Sequence, residues 1–329
     1  MSKDHYLPQF YLRGFQDENK KLHCCRTQYD TYKSRSTAEI YYTPDLNNID
    51  LGEKGRFNLE DTFFRDKDNY YAKAFADMKD KYSYMINRMP LQVKADVVEF
   101  VLGLYWRVPG GLQRVIDVLE NEGLITSYVD PKGYIYTNKD IPNIIKLLKE
   151  DERYQKVLLP ILYNENIEMH DWINLDNKFF IFETHEPLLI GDIPFVPLKS
   201  DNKRGKILDE FVIPLDKNHI LIYTNKRPNF LETNLLYYFN LCVIDGASER
   251  ISCCDENYLR NMISQAKPII ARLNSMGIKD IKYKLLAPLI EFESGFQTFE
   301  DFKSYIMSPE YKGLATPEAI ERCIRKYRE

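Results

Sequence analysis

The stretch from His5 to Phe15, read as HYLPQFYLRGF, constrains the fold more than any other part of the chain. It combines an imidazole (His5), an amide (Gln9) and a guanidinium (Arg13) with large apolar side chains, at a terminus where most chains fray. Pro8 suits the first turn of a helix, and the aromatic residues around it cannot all face water. We therefore expect a short helix from Pro8 to the end of this stretch, docked into a core.

Two interpretations of His5 follow from these residues. In the more common one, the imidazole is a packed side chain whose ring nitrogens are satisfied by backbone groups. In the other, His5 and Gln9 lie at the mouth of a functional site. The residues alone leave both interpretations open.

Composition limits the classes of partner. The chain has 329 residues, 44% of them hydrophobic and 29% charged, which is enough for a large core. A formal net charge of -4 and a pI near 5.9 give no overall basic field, so a nucleic-acid partner would require a local basic patch or a metal site. No run approaches the roughly 20 apolar residues of a membrane span. We expect a cytoplasmic protein with no membrane partner.

The cysteines favour a reduced protein. They include two vicinal pairs, Cys24–Cys25 and Cys253–Cys254. Vicinal cysteines rarely form a disulfide with each other, and these pairs lack the Cys-x-x-Cys spacing of zinc sites. We expect structural thiols.

Local patterns in the first third predict a hairpin followed by helices. Two short runs rich in Thr, Tyr and Cys predict a β-hairpin over residues 21–36. Apolar residues at helical spacing predict helices over 58–86 and 91–108, and Pro109 with two glycines stops the second helix.

The second half predicts strands and then helices. Short apolar runs between residues 178 and 223 predict an antiparallel meander, and helices are expected over 230–245 and 257–275. Asn240, inside the first of these helices, is expected to form a buried hydrogen bond. The predicted fold is α+β, with a central helical layer packed on an antiparallel sheet. We expect one domain over 1–275 and a helical extension over 276–329 that offers a surface to a protein partner or a second copy.

The opening stretch resembles the signature of a bacterial family, domain-of-unknown-function family 4238 (DUF4238). That signature reads His-Tyr-x-Pro-Gln-Phe-Tyr-Leu-Arg-x-Phe, and every defining position is present between His5 and Phe15. The resemblance continues to about residue 275. It implies a setting among anti-phage defence genes, which a nuclease or another toxic effector would fit.

Four further residues are matched through this resemblance. Arg107 lies in an Arg-x-Pro that ends a family helix, which makes it a candidate site cation; the alternative is an arginine that complements the helix dipole. Asp68 lies where the family usually carries a glutamate. Asp192 and Pro194 match the family's Phe-Ile-Thr-Ser-Asp-Asn-Pro-Val segment, although the neutral polar residues of that segment are absent here; the alternative is a turn-forming aspartate.

These residues suggest phosphodiester chemistry. The candidate catalytic residues are His5, Gln9, Arg13, Arg107 and Asp192, and the candidate metal ligands are Asp68 and Asp192. The carboxylates would hold Mg²⁺ or Mn²⁺, the imidazole would move a proton, and the guanidiniums would stabilise charge on the phosphorane. The sequence thus predicts a metal-dependent nuclease-like effector that acts on nucleic acid.

Two other hypotheses remain open. In one, His5, Arg13 and Asp192 form a buried network that clamps the N-terminal helix onto the sheet of a non-enzymatic binding or sensing module. In the other, Arg13 and Arg107 bind a small anion. No serine nucleophile elbow, His-Glu-x-x-His or phosphate loop occurs in the sequence.

Overall fold

The computed structural model describes residues 3–28, 30–50, 53, 55–59, 64–82, 89–122, 128–129, 135–150, 175, 177–198, 210–228, 233–275, 277, 286–298, 300–301 and 304. The fold is α+β, as predicted. The chain divides into a first unit (Met1–Tyr11, Ala38–Leu175 and Asp201–Ile207) and a second unit (Leu12–Thr37, Asp176–Ser200 and Leu208–Glu329). Within the described residues, no helix is long and apolar enough to cross a membrane.

The strands and helices are numbered along the chain. Strands β1 to β14 are Lys3–His5, Leu22–Arg26, Thr31–Arg35, Tyr42–Pro44, Asn48–Asp50, Arg56–Asn58, Tyr128–Val129, Ile135–Tyr136, Phe179–Glu183, Ile190–Gly191, Val196–Pro197, Phe211–Pro214, His219–Tyr223 and Arg250–Cys253. Helices α1 to α8 are Gln9–Arg13, Arg65–Tyr82, Leu91–Arg107, Gly111–Glu122, Ile141–Glu150, Thr233–Gly246, Glu256–Ser275 and Ala287–Glu293.

The first unit is built around the buried helix α3. The sequence of α3 is apolar on most sides, and most of its residues are buried. The ring of Phe100 on α3 lies 5.4 Å from Phe10 and 4.9 Å from Phe75 on α2, centroid to centroid. Tyr11 lies 5.3 Å from the same ring. The aromatic residues of the N-terminal stretch are therefore docked into a core, as expected.

The second unit contains two antiparallel four-stranded sheets. Their strand orders are β10-β14-β2-β3 and β11-β12-β13-β9. Helices α6 and α7 contribute to one apolar cluster with strands of both sheets. Gly191 on β10 permits close approach to α6, because a Cβ there would lie 3.4 Å from Val243 Cγ1 and 3.5 Å from Ala247 Cβ.

Several predicted elements are confirmed with shifted ends. The hairpin is β2 and β3, paired antiparallel. The predicted helix over 91–108 is α3, which ends at Arg107. The helix predicted over 58–86 is α2, Arg65–Tyr82, and Asn58 at its predicted start belongs to β6. The short N-terminal helix is confirmed but spans only Gln9–Arg13.

The prediction of a single meander is wrong. Strand β10 pairs with β14 and so joins the sheet of the N-terminal hairpin instead of the sheet formed by β9 and β11 to β13. The partner strand β14 lies about 60 residues farther along the chain, so local apolar runs do not reveal it. The predicted boundary at residue 275 coincides with the end of α7, and the two-domain division stays a prediction.

Candidate functional site

The N-terminal strand is fixed within the first unit by several contacts. In the β1–β4 ladder, His5 pairs with Tyr42, and the two rings lie 5.7 Å apart. The backbone N–H of Tyr6 donates to the carbonyl of Tyr41 over 3.0 Å. The buried carboxylate of Asp4 accepts a 2.7 Å hydrogen bond from the backbone N–H of Asn47. The segment that precedes α1 is thus tied down by main-chain and side-chain bonds.

Arg107 joins this strand to α2. Its side chain is only 4% exposed. Nη1 donates to Oδ1 of Asp68 over 2.8 Å, and Nη2 donates to the backbone carbonyl of His5 over 2.9 Å. The guanidinium carbon lies 4.2 Å from the ring centroid of Phe64. We call Arg107, Asp68 and the His5 carbonyl the Arg107 clamp.

A different arginine meets the carboxyl end of α3. Arg114 donates to the carbonyls of Tyr105 over 2.7 Å, Pro109 over 2.9 Å and Val108 over 3.1 Å. Tyr105 lies in the last turn of α3, where carbonyls lack intrahelical partners, and Val108 and Pro109 directly follow the helix. Burial lowers the pKa of the Arg114 guanidinium. Arg107 also lies in the last turn of α3, so its favourable interaction with the helix dipole stays a prediction beside its bond to Asp68.

The remaining motif residues lie on α1. Gln9 is half-buried and is the first residue of the helix. Arg13, the last residue, is exposed, and its side chain forms no hydrogen bond or ion pair with any residue that the structure describes. The hypothesis of a buried network containing Arg13 is thus wrong. A short helix followed by Gly14 directs this last side chain to solvent.

Asp192 is fully buried at the end of β10 in the second unit. Its Oδ2 accepts hydrogen bonds from the backbone N–H groups of Ser248 (3.0 Å) and Glu249 (3.1 Å) and from the Ser248 hydroxyl. Its Oδ1 accepts from the backbone N–H of Arg250 over 3.0 Å. Asp192 therefore organises the turn before β14, which is the turn-forming role.

The two predicted metal ligands have separate surroundings. Asp68 belongs to the first unit and pairs with Arg107, whereas Asp192 belongs to the second unit. Across the described part of the chain, no group of three or more His, Cys, Asp or Glu side chains is placed to hold a metal ion. The prediction that His5 and Asp192 share one site joins residues of both units, and it stays a prediction.

The second unit also contains a His–carboxylate pair that sequence reasoning missed. Nδ1 of His219 lies 2.9 Å from Oδ1 of Asp216. The same oxygen accepts the backbone N–H groups of Asn218 and His219. An aspartate three residues before a histidine, in a turn between two apolar strands, is the sequence signal that could have identified the pair. The carboxylate fixes both the turn and the imidazole.

Two other expectations concern buried polar groups. Oδ1 of Asn240 accepts the backbone N–H of Leu189 over 3.2 Å, and its Nδ2 lies 3.1 Å from the Tyr258 hydroxyl. The expected structural role of Asn240 is confirmed. The described cysteines are free thiols, as expected. Three further residues are of interest in the sequence: Glu60 as a second acidic position of the family, Trp172 as a family tryptophan ahead of the sheet, and His170 as a surface residue. They lie outside the described residues.

The vicinal thiols differ in acidity. A hydrogen bond between the two thiols lowers the pKa of Cys254 and raises that of Cys253. The nearby Lys217 ammonium also lowers the pKa of Cys254. Burial raises the pKa of Cys24 to about 11. Cys254, which is half-buried, is therefore the most reactive of these three thiols.

Comparison with known proteins supports the resemblance seen in the sequence. A family model described as "Protein of unknown function (DUF4238)" matches residues 3–257. No curated protein and no solved structure matches the chain significantly. The match spans the N-terminal stretch, the Arg107 clamp and the Asp192 turn. The chain therefore belongs to the DUF4238 family.

Proposed function

We propose that this chain is a non-enzymatic binding module in which the His5 to Phe15 stretch is a structural element. The observation that carries this proposal is that the buried Asp192 carboxylate already accepts four hydrogen bonds from the protein. Two carboxylate oxygens offer about four acceptor positions, and four donors from Ser248, Glu249 and Arg250 already occupy Asp192. A metal ion would have to displace donors that hold the chain together.

The energetic comparison favours the structural role. Hydrogen bonds to a charged group contribute about 1.5 to 3 kcal/mol each. Oδ1 accepts one of these bonds and Oδ2 accepts three, so offering either oxygen to Mg²⁺ would break at least one of them, at a cost of at least about 1.5 to 3 kcal/mol. The freed backbone N–H groups at residues 248–250 would then need new partners.

Arg107 supports the same conclusion from the first unit. A cation that stabilises a phosphorane must direct N–H groups to the substrate. The guanidinium of Arg107 is almost fully buried, and it directs Nη1 and Nη2 to Asp68 and to the His5 carbonyl. A phosphate would have to compete with a carboxylate already bound at 2.8 Å. The same argument weakens the hypothesis that Arg107 binds a small anion.

The competing proposal is a Mg²⁺- or Mn²⁺-dependent nuclease effector in anti-phage defence. To separate the two proposals, purified protein is incubated with end-labelled RNA and DNA in Mg²⁺, Mn²⁺ or EDTA. The binding-module proposal predicts intact nucleic acid in all conditions.

The decisive variants are Asp68→Asn and Asp66→Asn. Both remove one acidic charge from the first turn of α2, but only Asp68 contacts Arg107. Metal-dependent cleavage that is lost in Asp68→Asn and retained in Asp66→Asn, at equal melting temperature, would overturn the proposal.

A further inference from the structure

Two arginines lie directly opposite each other on neighbouring strands of the second unit. The β2–β14 register pairs Arg26 with Arg250. The backbone N–H of Thr27 donates to the Glu249 carbonyl over 3.0 Å, so the adjacent pair is the hydrogen-bonded one. Hydrogen-bonded and non-hydrogen-bonded pairs alternate along an antiparallel ladder. Arg26–Arg250 is therefore a non-hydrogen-bonded pair, in which facing side chains are closest.

Two more cations share this face of the sheet. In the β2–β3 register, Lys33 pairs with Cys24 and Arg35 pairs with Leu22. Cys24 and Leu22 lie two and four residues before Arg26 on one strand, so all of these side chains point to the same face. We call Arg26, Lys33, Arg35 and Arg250 the basic face. Arg26 and Lys33 are exposed, and Arg35 and Arg250 are half-buried.

The electrostatics around Cys24 confirm this proximity. Burial raises the pKa of the Cys24 thiol to about 11, and the charges of Arg250 and Arg35 oppose that increase. Both guanidiniums therefore lie close to the same sulfur. Helices α6 and α7 lie toward the other face, where Gly191 approaches Val243 and Cys25 lies near Lys267 and Arg260.

Three of the four cations of the basic face, Arg26, Lys33 and Arg250, form no ion pair with a described carboxylate. Asp192 is the neighbour of Arg250 across the sheet, but its oxygens are occupied by the turn at 248–250. Glu249 lies opposite Thr27, so its side chain points to the other face.

One donor on this face also lacks a protein acceptor. Nε of Arg250 is buried and has no hydrogen-bond partner among the described residues. Like charges placed directly opposite each other destabilise a sheet, and a buried donor without an acceptor does so as well. An oxyanion between the two guanidiniums would offset the repulsion of the like charges and supply the missing acceptor, because each guanidinium presents a planar set of donors that matches phosphate.

We propose that the basic face binds the phosphodiester backbone of single-stranded nucleic acid. The cations lie on three adjacent strands about 4.8 Å apart and so spread over roughly 10 Å. This spread is of the order of the distance between neighbouring phosphates of one strand, so the backbone of a single strand can contact several of these cations. The inference rests on the proposed binding function and names its partner. It also supplies the local basic patch that a chain of net charge -4 requires for such a partner.

The test is a titration of labelled 20-mer RNA and DNA, single-stranded and duplex, followed by fluorescence anisotropy. EDTA is present throughout, so binding is measured without metal-dependent cleavage. One contact to single-stranded nucleic acid contributes a salt-dependence slope of about 0.7, which equals about fivefold in affinity at 0.1 M salt. We expect Arg26→Gln and Lys33→Gln each to weaken binding about fivefold and to reduce the slope by about 0.7.

Lys267→Gln is the matched control. Lys267 is an exposed lysine on α7 that pairs with Asp30 at 2.5 Å, and it lies toward the other face of the sheet. The control removes the same charge as Lys33→Gln and should leave both affinity and slope unchanged. If Lys267→Gln weakened binding as much as Lys33→Gln, the effect would depend only on net charge, and the proposal would be overturned.

Arg26→Glu separates binding from folding. It places an acid opposite Arg250, so we expect binding to be lost while the melting temperature stays equal or rises. If the loss of binding were accompanied by a clear fall in melting temperature, Arg26 would have a structural role and the proposal would be overturned. Absence of binding by the unmodified chain, preference for duplex, or equal competition by polyglutamate would also overturn the proposal. Cleavage in the metal assay would refute the non-enzymatic function, but it would leave binding in EDTA as a separate result.

Discussion

The Arg107 clamp gives the sharpest quantitative prediction. Removing one partner of a buried ion pair costs about 3 to 5 kcal/mol, because the other charge stays buried without compensation. Asp68 is 17% exposed and Arg107 only 4%, so water can solvate Asp68 better than Arg107. Asp68→Asn leaves the poorly solvated Arg107 without its carboxylate, so we expect it to destabilise the first unit by about 3 kcal/mol, whereas Arg107→Met leaves the better solvated Asp68 and should cost about 2 kcal/mol.

The matched control for Asp68→Asn is again Asp66→Asn. Both aspartates lie in the first turn of α2, where acids interact favourably with the helix dipole by about 0.3 to 1 kcal/mol. Asp66 is exposed, and its loss should cost only this amount. The difference in free energy of unfolding between the two variants isolates the contribution of the contact with Arg107.

The assay is urea unfolding followed by tryptophan fluorescence. The chain has two tryptophans, and Trp106 adjoins Arg107 in the sequence, so emission should report on this region. The double variant Asp68→Asn/Arg107→Met completes a thermodynamic cycle, and we expect a coupling energy of about 1.5 kcal/mol. The clamp would be refuted if Asp68→Asn and Asp66→Asn unfolded at the same urea concentration, or if the coupling energy were near zero.

Three further predictions concern single side chains. Asp192→Asn replaces one acceptor by an amide N–H₂ facing backbone donors, and it should destabilise the second unit by about 2 to 4 kcal/mol in urea unfolding; a change below about 0.5 kcal/mol would contradict the turn-forming role. Burial raises the pKa of Asp96, so the carboxyl holds its proton more tightly in the folded state than in the unfolded state. The free energy of unfolding therefore falls as the pH rises from the ordinary aspartate range through the raised pKa. Asp96→Asn removes this loss, and thermal melts should show a more stable variant at pH 7 and a smaller difference below pH 4. Iodoacetamide at pH 7 should alkylate Cys254 before Cys24, as measured by peptide mass spectrometry, because the hydrogen bond from Cys253 lowers the pKa of Cys254 while burial raises that of Cys24; equal rates would contradict this assignment.

Elements that depend on local patterns could be predicted from the sequence. The hairpin β2–β3 and the helix α3 were predicted because their signals, turn residues and helical apolar spacing, lie within the elements themselves. The position of β10 could not be predicted in this way. Its partner β14 is chosen by a long-range contact, in which the Asp192 carboxylate binds backbone N–H groups at 248–250. Backbone groups carry no residue identity, so no motif reveals such a bond.

The candidate residues were found, but their partners were not. Arg107 and Asp68 were singled out through the family resemblance, yet their contact and the bond to the His5 carbonyl join positions 39 and 102 residues apart. The basic face was missed altogether. Arg26, Lys33 and Arg250 come from three strands, and only the β2–β3 and β2–β14 registers place them together.

Arg107 and Arg114 of the first unit differ from Arg26 and Arg250 of the second in whether protein acceptors satisfy the guanidinium, and this difference separates an effect on stability from an effect on binding. Arg107 and Arg114 direct their N–H groups to a carboxylate and to backbone carbonyls at 2.7 to 3.1 Å, so their removal is expected to destabilise the fold. Arg26 and Arg250 instead face each other, and neither guanidinium forms an ion pair with a carboxylate of the described residues. An opposite-charge pair at that position would be more favourable by about 0.2 to 1 kcal/mol. Two facing arginines lower the stability of the sheet by this amount, and this is the argument for the anionic partner proposed above.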